Sequence, residues 1–600
     1  MPDAWRLGGA KQQLGLRAWE LMKNKTPLFV AVLSIWAVAL FAQSRNIGNE
    51  WPTAQGDAQR TNWLRSDPNI SVDALSKPGF ELQWKAELEG QRGMKPAVQG
   101  VSVNGVTLFT PLSIVTGDND VVAIDNDTGA TFWYKSFGAV PSAAACAAPV
   151  AATRVALLES PAPTAQRGGG AGGGRGGYSS SVGSPGEGAP VPARGGGAGR
   201  GVVAPGPPAP AGAPGAAPAP PPAGAPATAP AGQAGRAGAA PGAPPGAPGA
   251  APGRGGGGGF GRPSGVVYVI ARDGMLHVVG LPSSKDIQKP AQLVPAGARV
   301  TDPIAVNDIL YTSTTGKCGG TVDAVYAMDL AGDAKPVVSY KTTGSPVGTL
   351  ALATDGTVVV AVTNGVVTLD PKTLAVRHSY SDPAKTMVTG PLVFRQNDKD
   401  MVAVGTKDGQ ILLLDANTMA VSSATPAFTT AGATFAGEAL SFWQEYSPGP
   451  VDPAAAAAPP APAFGRGGGG APAVPMIPGR AWLLAATNNS VVAWKIADDG
   501  GKLTLQPGWT SATLSSPVPP VIVNNVVFAV SSGKPAAAAG SGTPAVLYAL
   551  DGMTGKALWN SGTAIKSYMP GRALWTANSQ VYVGGNDGAV YAFGFPLDRR

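Results

Sequence analysis

Two cysteines and two histidines among 600 residues leave several chemistries without raw material. Cys146 and Cys318 are too few for a disulfide-dense scaffold, and neither stands in the Cys-x-x-Cys spacing of a zinc or redox motif. His277 and His378 cannot furnish a His-rich metal centre and give a Ser-His-Asp triad almost nothing to draw on. Glycine is abundant, yet no Gly-Lys-Thr or Gly-Lys-Ser leads from a strand into a helix, which excludes a phosphate loop of that kind. Charged residues make up only 14 % of the chain, and its longest uncharged apolar run lies at 26–44.

Gly and Pro, by contrast, supply 142 of the 600 residues, and they are concentrated in two tracts. Residues 161–265 are almost entirely Gly, Ala, Pro and Arg, with Tyr178 and Phe260 as their only aromatics. Such a composition cannot bury enough surface to offset ordering entropy, so the tract reads as disordered. Residues 448–479 have the same character. The net charge of +7 sits mostly outside the folded body, because the first tract carries seven Arg against one Glu and residues 1–45 six bases against two acids. What remains has a net charge of −3, so no basic face for nucleic acid is expected. The Gly-Arg-Gly-Gly at 174–177 is similar to Arg-Gly segments of RNA-binding proteins but lacks interleaved aromatics for stacking bases.

The apolar run at 26–44 follows Lys11, Arg17, Lys23 and Lys25, a pattern of export. Its apolar heart is shorter than the roughly 20 residues that span a bilayer, and Ala39 or Ala42 can precede a cleavage site. A cleaved signal and a retained membrane anchor both stay open. No Cys closely follows the run, so a lipid-modified amino terminus is excluded. The bulk of the chain is therefore expected in the periplasm or cell envelope, where the two cysteines can pair or remain separate thiols.

The body is organised by a repeat. Residues 549–559 read Ala-Leu-Asp-Gly-Met-Thr-Gly-Lys-Ala-Leu-Trp, and 123–133 are a near copy. Each is a strand, a tight turn and a second strand. Asp551 and Thr554, like Asp125 and Thr128, can bond backbone donors in the turn. Gly555 and Gly129 accept the positive φ it requires, and Trp559 and Trp133 close the second strand with a large apolar group. Weaker copies place an Asp at 329, 370 and 415, steps of 41 and 45 residues, which is the length of a four-stranded propeller blade.

Calling the strands of each unit A to D, the first has A near 96–101, B at 106–110, C at 121–125 and D at 131–135. In the second, A lies near Ala147 and B at 155–158; the long tract then joins B to C (266–270), and D follows at 275–279, so both histidines fall on D strands. Six further units follow, the sixth with the 448–479 tract between A and B. The eighth stops after three strands, and a spare strand at 80–86 supplies its missing D. Closing the ring in this way leaves no exposed ladder. The expected fold is thus all-β, an eight-bladed propeller of four-stranded antiparallel blades. The chain divides into a signal or anchor (1–45), propeller segments at 46–160, 266–447 and 480–600, and the two inserts.

These turns resemble the pyrroloquinoline quinone (PQQ) repeat superfamily, whose blades end in a strand, an Asp, a Thr-Gly turn and a docking Trp. Asp551 to Trp559 and Asp125 to Trp133 carry the full pattern; Asp370-Pro-Lys-Thr-Leu and Asp415-Ala-Asn-Thr-Met keep the Asp and Thr alone. Trp51-Pro and Gly56-Asp are similar to the opening of such chains. The resemblance implies a fold shared by quinoprotein dehydrogenases and by non-catalytic propellers such as the outer-membrane barrel-assembly lipoprotein. In the dehydrogenases a quinone lies between a Trp and a disulfide of adjacent cysteines, calcium is held by carboxylate and amide oxygens, and an Asp acts as base. No adjacent Cys pair exists here. Asp118, Asp120, Asp302, Asp323 and Glu438 lie near strand starts or in loops, where they can face a central funnel or simply solvent.

In a propeller the D–A and B–C loops share one face, which brings Cys146 and Cys318 to adjacent blades on that face as a candidate disulfide. The long tract, placed between B and C, is expected on the same face, and the second tract on the other. The reading reached is a non-catalytic binding or scaffolding protein with no cofactor, whose partner is an envelope protein or other ligand on the propeller face. The membrane is a partner only through an uncleaved amino-terminal helix. A dehydrogenase of alcohols or sugars using PQQ and calcium is the alternative.

Overall fold

Valine-rich runs such as Val358–Val362 and Gly365–Leu369 are buried at every position, whereas the next strand, Val376–Ser381, is almost wholly exposed. That gradient identifies blades stacked face against face: inner strands are covered on both sides by neighbouring blades and need no alternation, while the outermost strand meets water. A computed structural model of the chain describes residues 50–88, 100–107, 110–138, 149–158, 265–281, 283–426, 435–448, 476–535 and 542–596. All belong to one unit of the chain, 1–180 with 261–600; the other unit, 181–260, lies outside the described residues, as does the apolar run at 26–44.

The described residues form an eight-bladed all-β propeller, each blade a sheet of four antiparallel strands running outward from A to D. Blade 1 comprises Val101–Thr107, Thr110–Thr116, Asp120–Asp125 and Thr131–Ser136. Blade 2 comprises Ala151–Thr153, Val266–Ile270, Met275–Gly280 and Ala291–Gln292. Blade 3 is Ile304–Val306, Ile309–Ser313, Ala324–Asp329 and Val337–Lys341. Blade 4 begins at Ala351–Leu352 and blade 5 at Leu392–Gln396. The long hairpin Phe435–Pro448 and Met476–Thr487 opens blade 6, and Val521–Val523 opens blade 7. Blade 8 takes A, B and C from Leu574–Ala577, Gln580–Gly584 and Ala589–Gly594, and its D strand is the amino-terminal Glu81–Glu87, antiparallel to Ala589–Gly594. The ring closes between the two ends of the fold, as the spare strand requires. The one named α-helix among the described residues is a single turn, Val72–Leu75, capped by Ser71 Oγ, which accepts from Ala74 N at 3.1 Å.

Two expectations are corrected. In blade 1 strands A and B lie later than their placement at 96–101 and 106–110. In blade 2 the run 155–158 is not strand B: Val155 forms a parallel bridge to Ala305 of blade 3, and Ala156 N donates to Ala305 O at 2.8 Å. Strand B is Val266–Ile270 and strand C Met275–Gly280, so His277 stands on C, not D. The long interruption therefore joins A to B, like the one in blade 6, and not B to C. Strand A, expected near Ala147, is Ala151–Thr153, three small residues that offer no alternation to read.

Candidate functional site

The repeat turns are built by their aspartates. Asp551 Oδ1 accepts from Met553 N at 2.8 Å and Thr554 N at 3.0 Å, while Gly555 N donates to Asp551 O at 2.8 Å with φ at +70°. Asp125 repeats this with Asp127 N at 2.8 Å and Thr128 N at 2.9 Å, and Gly129 has φ +73°. Thr128 Oγ1 and Thr554 Oγ1 each accept from the backbone N–H two residues on. The tryptophan that reaches each turn comes from strand D of the preceding blade. Trp509 Nε1 donates to Gly552 O at 2.8 Å, and Trp84 Nε1 to Asn126 O at 3.0 Å. Trp133 likewise donates to Leu281 O of blade 2. Trp559 is half-buried, edge-on to Phe80 at 4.9 Å and to Phe593 at 5.6 Å. These residues serve the joints between blades, away from either mouth of the ring.

The mouths themselves are organised by a segment whose polar composition reads as solvated loop. Residues 51–64 are buried except for the half-buried Pro52, and they touch the blades in succession. Ser102 N donates to Trp51 O at 2.9 Å in blade 1, Arg154 N to Pro52 O at 2.7 Å in blade 2, and Thr53 Oγ1 to Pro303 O at 2.8 Å in blade 3. Leu352 N, Val393 N, Phe442 N and Ile522 N then donate to the carbonyls of Ala58, Gln59, Thr61 and Asn62, reaching blades 4 to 7. Trp63–Leu64 pairs parallel to blade 7, and Ser579 Oγ of blade 8 donates to Asp67 at 3.0 Å. Innermost strands have a free ladder edge facing the axis, and this segment satisfies it around the whole ring.

Arg60 projects from that segment and is fully buried. Its Nε donates to Leu350 O at 2.9 Å, Nη1 to Thr53 Oγ1 at 2.9 Å and Nη2 to Asp302 O at 2.7 Å. Burial pulls its pKa down to about 10, against the opposing pull of Asp302, so it stays protonated at neutral pH. Asp302 in turn meets Arg572 Nη2 at 3.4 Å. Asp302 thus lies between two guanidiniums, and Asp57 adds a second negative charge near Arg60.

The other candidate carboxylates do not join it. Asp118 is exposed in a blade 1 turn, and Asp120 accepts from Tyr134 OH at 2.6 Å. Asp323 accepts from Lys317 N and Ser345 Oγ, and Glu438 is exposed. Among the described residues no three His, Cys, Asp or Glu side chains are grouped to hold a metal. His277 pairs with Asp286 at 3.2 Å, and His378 is exposed on strand D of blade 4. Cys318 is buried in a short turn between B and C of blade 3; Cys146 lies outside the described residues.

On the A–B face a cavity of about 440 Å³ opens beside this segment, walled by Gln59, Trp63 and Arg65, by the blade 5 turn at Arg395–Asp398, and by Gln444, Tyr446 and Pro478 of the long blade 6 hairpin. Nothing in the linear order signals it, because its residues come from positions 59 to 478.

No family model matches the sequence, and no curated protein matches it either. Solved structures align with the chain at low identity. The quinohemoprotein alcohol dehydrogenase from Comamonas testosteroni aligns over 92 % of this chain and 81 % of its own, at 14 % identity and a TM-score of 0.47. A europium-containing methanol dehydrogenase aligns over 91 % and 98 %, at 10 % identity and a TM-score of 0.47. BamB from Moraxella catarrhalis covers 55 % of this chain and 94 % of its own, at 16 % identity and a TM-score of 0.33. At such identities the likeness says nothing about chemistry.

Proposed function

We propose that the chain is an exported, PQQ-repeat-type propeller that acts as a non-catalytic binding or scaffolding protein of the cell envelope, with its partner on a propeller face. The charge of the axial cluster carries the reading. Calcium takes about six to eight oxygen ligands, with carboxylates prominent. Here Asp302 is already engaged by Arg572, its backbone oxygen accepts from Arg60, and the three side chains together are positive. A divalent cation placed there meets two buried or half-buried guanidiniums beside a carboxylate already engaged by one of them, which disfavours the quinone–calcium pair at this cluster. Rigid blades carrying many loops on one surface suit the capture of another molecule instead.

Titrating the purified full chain with PQQ and calcium, followed by dye reduction with alcohols and aldoses, tests this directly. No stoichiometric quinone binding and no turnover are expected. Tight one-to-one binding with substrate-dependent dye reduction makes the protein a quinoprotein oxidoreductase. The pairing of Cys146 with Cys318 belongs to the same proposal, since export allows it. Non-reducing mass mapping of protein recovered from the envelope is expected to find the cross-linked peptides; two free thiols refute the pairing.

A further inference from the structure

We draw no further inference here: the strongest candidate, the cavity on the A–B face beside the 51–64 segment, is walled by Arg65, Arg395 and Asp398 together with carboxamides and aromatic rings, a lining that selects no single class of ligand, and nothing in the structure shows what covers it.

Discussion

Gly555 and Leu374 occupy equivalent places in their turns and meet opposite needs. Both have positive φ, +70° and +56°, and both donate N–H to the repeat Asp carbonyl. A Cβ on Gly555 would stand 2.4 Å from Trp509 Cε3, and one on Gly129 would stand 2.6 Å from Trp84 Cε3. Where the preceding strand D has no Trp, as in Val337–Lys341 and Val376–Ser381, Leu374 and Met419 accept the strained conformation and are themselves buried. The large group is thus supplied once per joint, by one blade or the other. Gly555→Ala should cost about 3 kcal/mol, more than the roughly 1–2 kcal/mol of left-handed strain alone. In a Trp509→Ala background it should cost only that strain. Denaturant unfolding of the four proteins of the cycle checks this, and additive losses refute the steric coupling.

A pH effect also belongs to single residues. Backbone N–H from Thr373, then Arg377 and the Lys372 N–H, hold the Asp370 carboxyl well below the usual carboxylate range. A depressed folded pKa contributes stability above the unfolded value of about 3.9, and that contribution is lost as pH falls through the folded value. The group is largely solvated, so the effect is no more than about 1 kcal/mol. Asp370→Asn should therefore melt lower than the wild type at pH 7 and converge with it near the acid limit; a gap that persists unchanged in acid refutes the role of the charge.

Among elements, the segment 51–64 departs furthest from what its sequence suggests. Gln55, Asp57, Gln59, Arg60, Thr61 and Asn62 look like a solvated loop, and all are buried, because ladder edges spaced around a ring accept a polar strap that no local pattern announces. The repeat turns were legible for the opposite reason: Asp, Thr and Gly act through neighbours two to four positions away. Blade 2 misled because 155–158 has the look of a strand and pairs, but with blade 3 across the ring's inner edge. The axial Asp302 stood among five equivalent carboxylates until its partners, 242 and 270 positions away in sequence, were in place. Arg60→Met should expose how much the strap matters. It leaves the carbonyls of Leu350, Asp302 and Ala54 without their donor and Asp302 with one guanidinium fewer. A loss of about 3–5 kcal/mol is expected, the range for removing one partner of a buried ionic network. An unchanged chemical-unfolding midpoint would mean that the strap does not hold the ring.

At the scale of the whole molecule, eight similar blades carry two very unequal interruptions, and both fall between strands A and B. An insertion at that connection leaves each blade-to-blade joint intact, because the joints run through D–A links and through tryptophans docking on C–D turns, and neither lies between A and B. Blade 2 accordingly keeps its A–B ladder, Ala151 to Ile270 and Thr153 to Tyr268, on either side of residues 159–264. The free energy of closing a loop grows only as about (3/2)RT ln n, so each halving of its length recovers about 0.6 kcal/mol. Replacing residues 159–264, 106 in number, by a Gly/Ser linker of about 12 residues is about three halvings and should stabilise the propeller by about 2 kcal/mol. The same replacement of 449–475 should gain roughly 0.7 kcal/mol, since it is little more than one halving. Guanidinium unfolding of both variants beside the full chain reads the difference. A destabilised first variant would show that the connection makes contacts the ring depends on, whereas a gain ordered by length would show that the blades tolerate it as chain length alone.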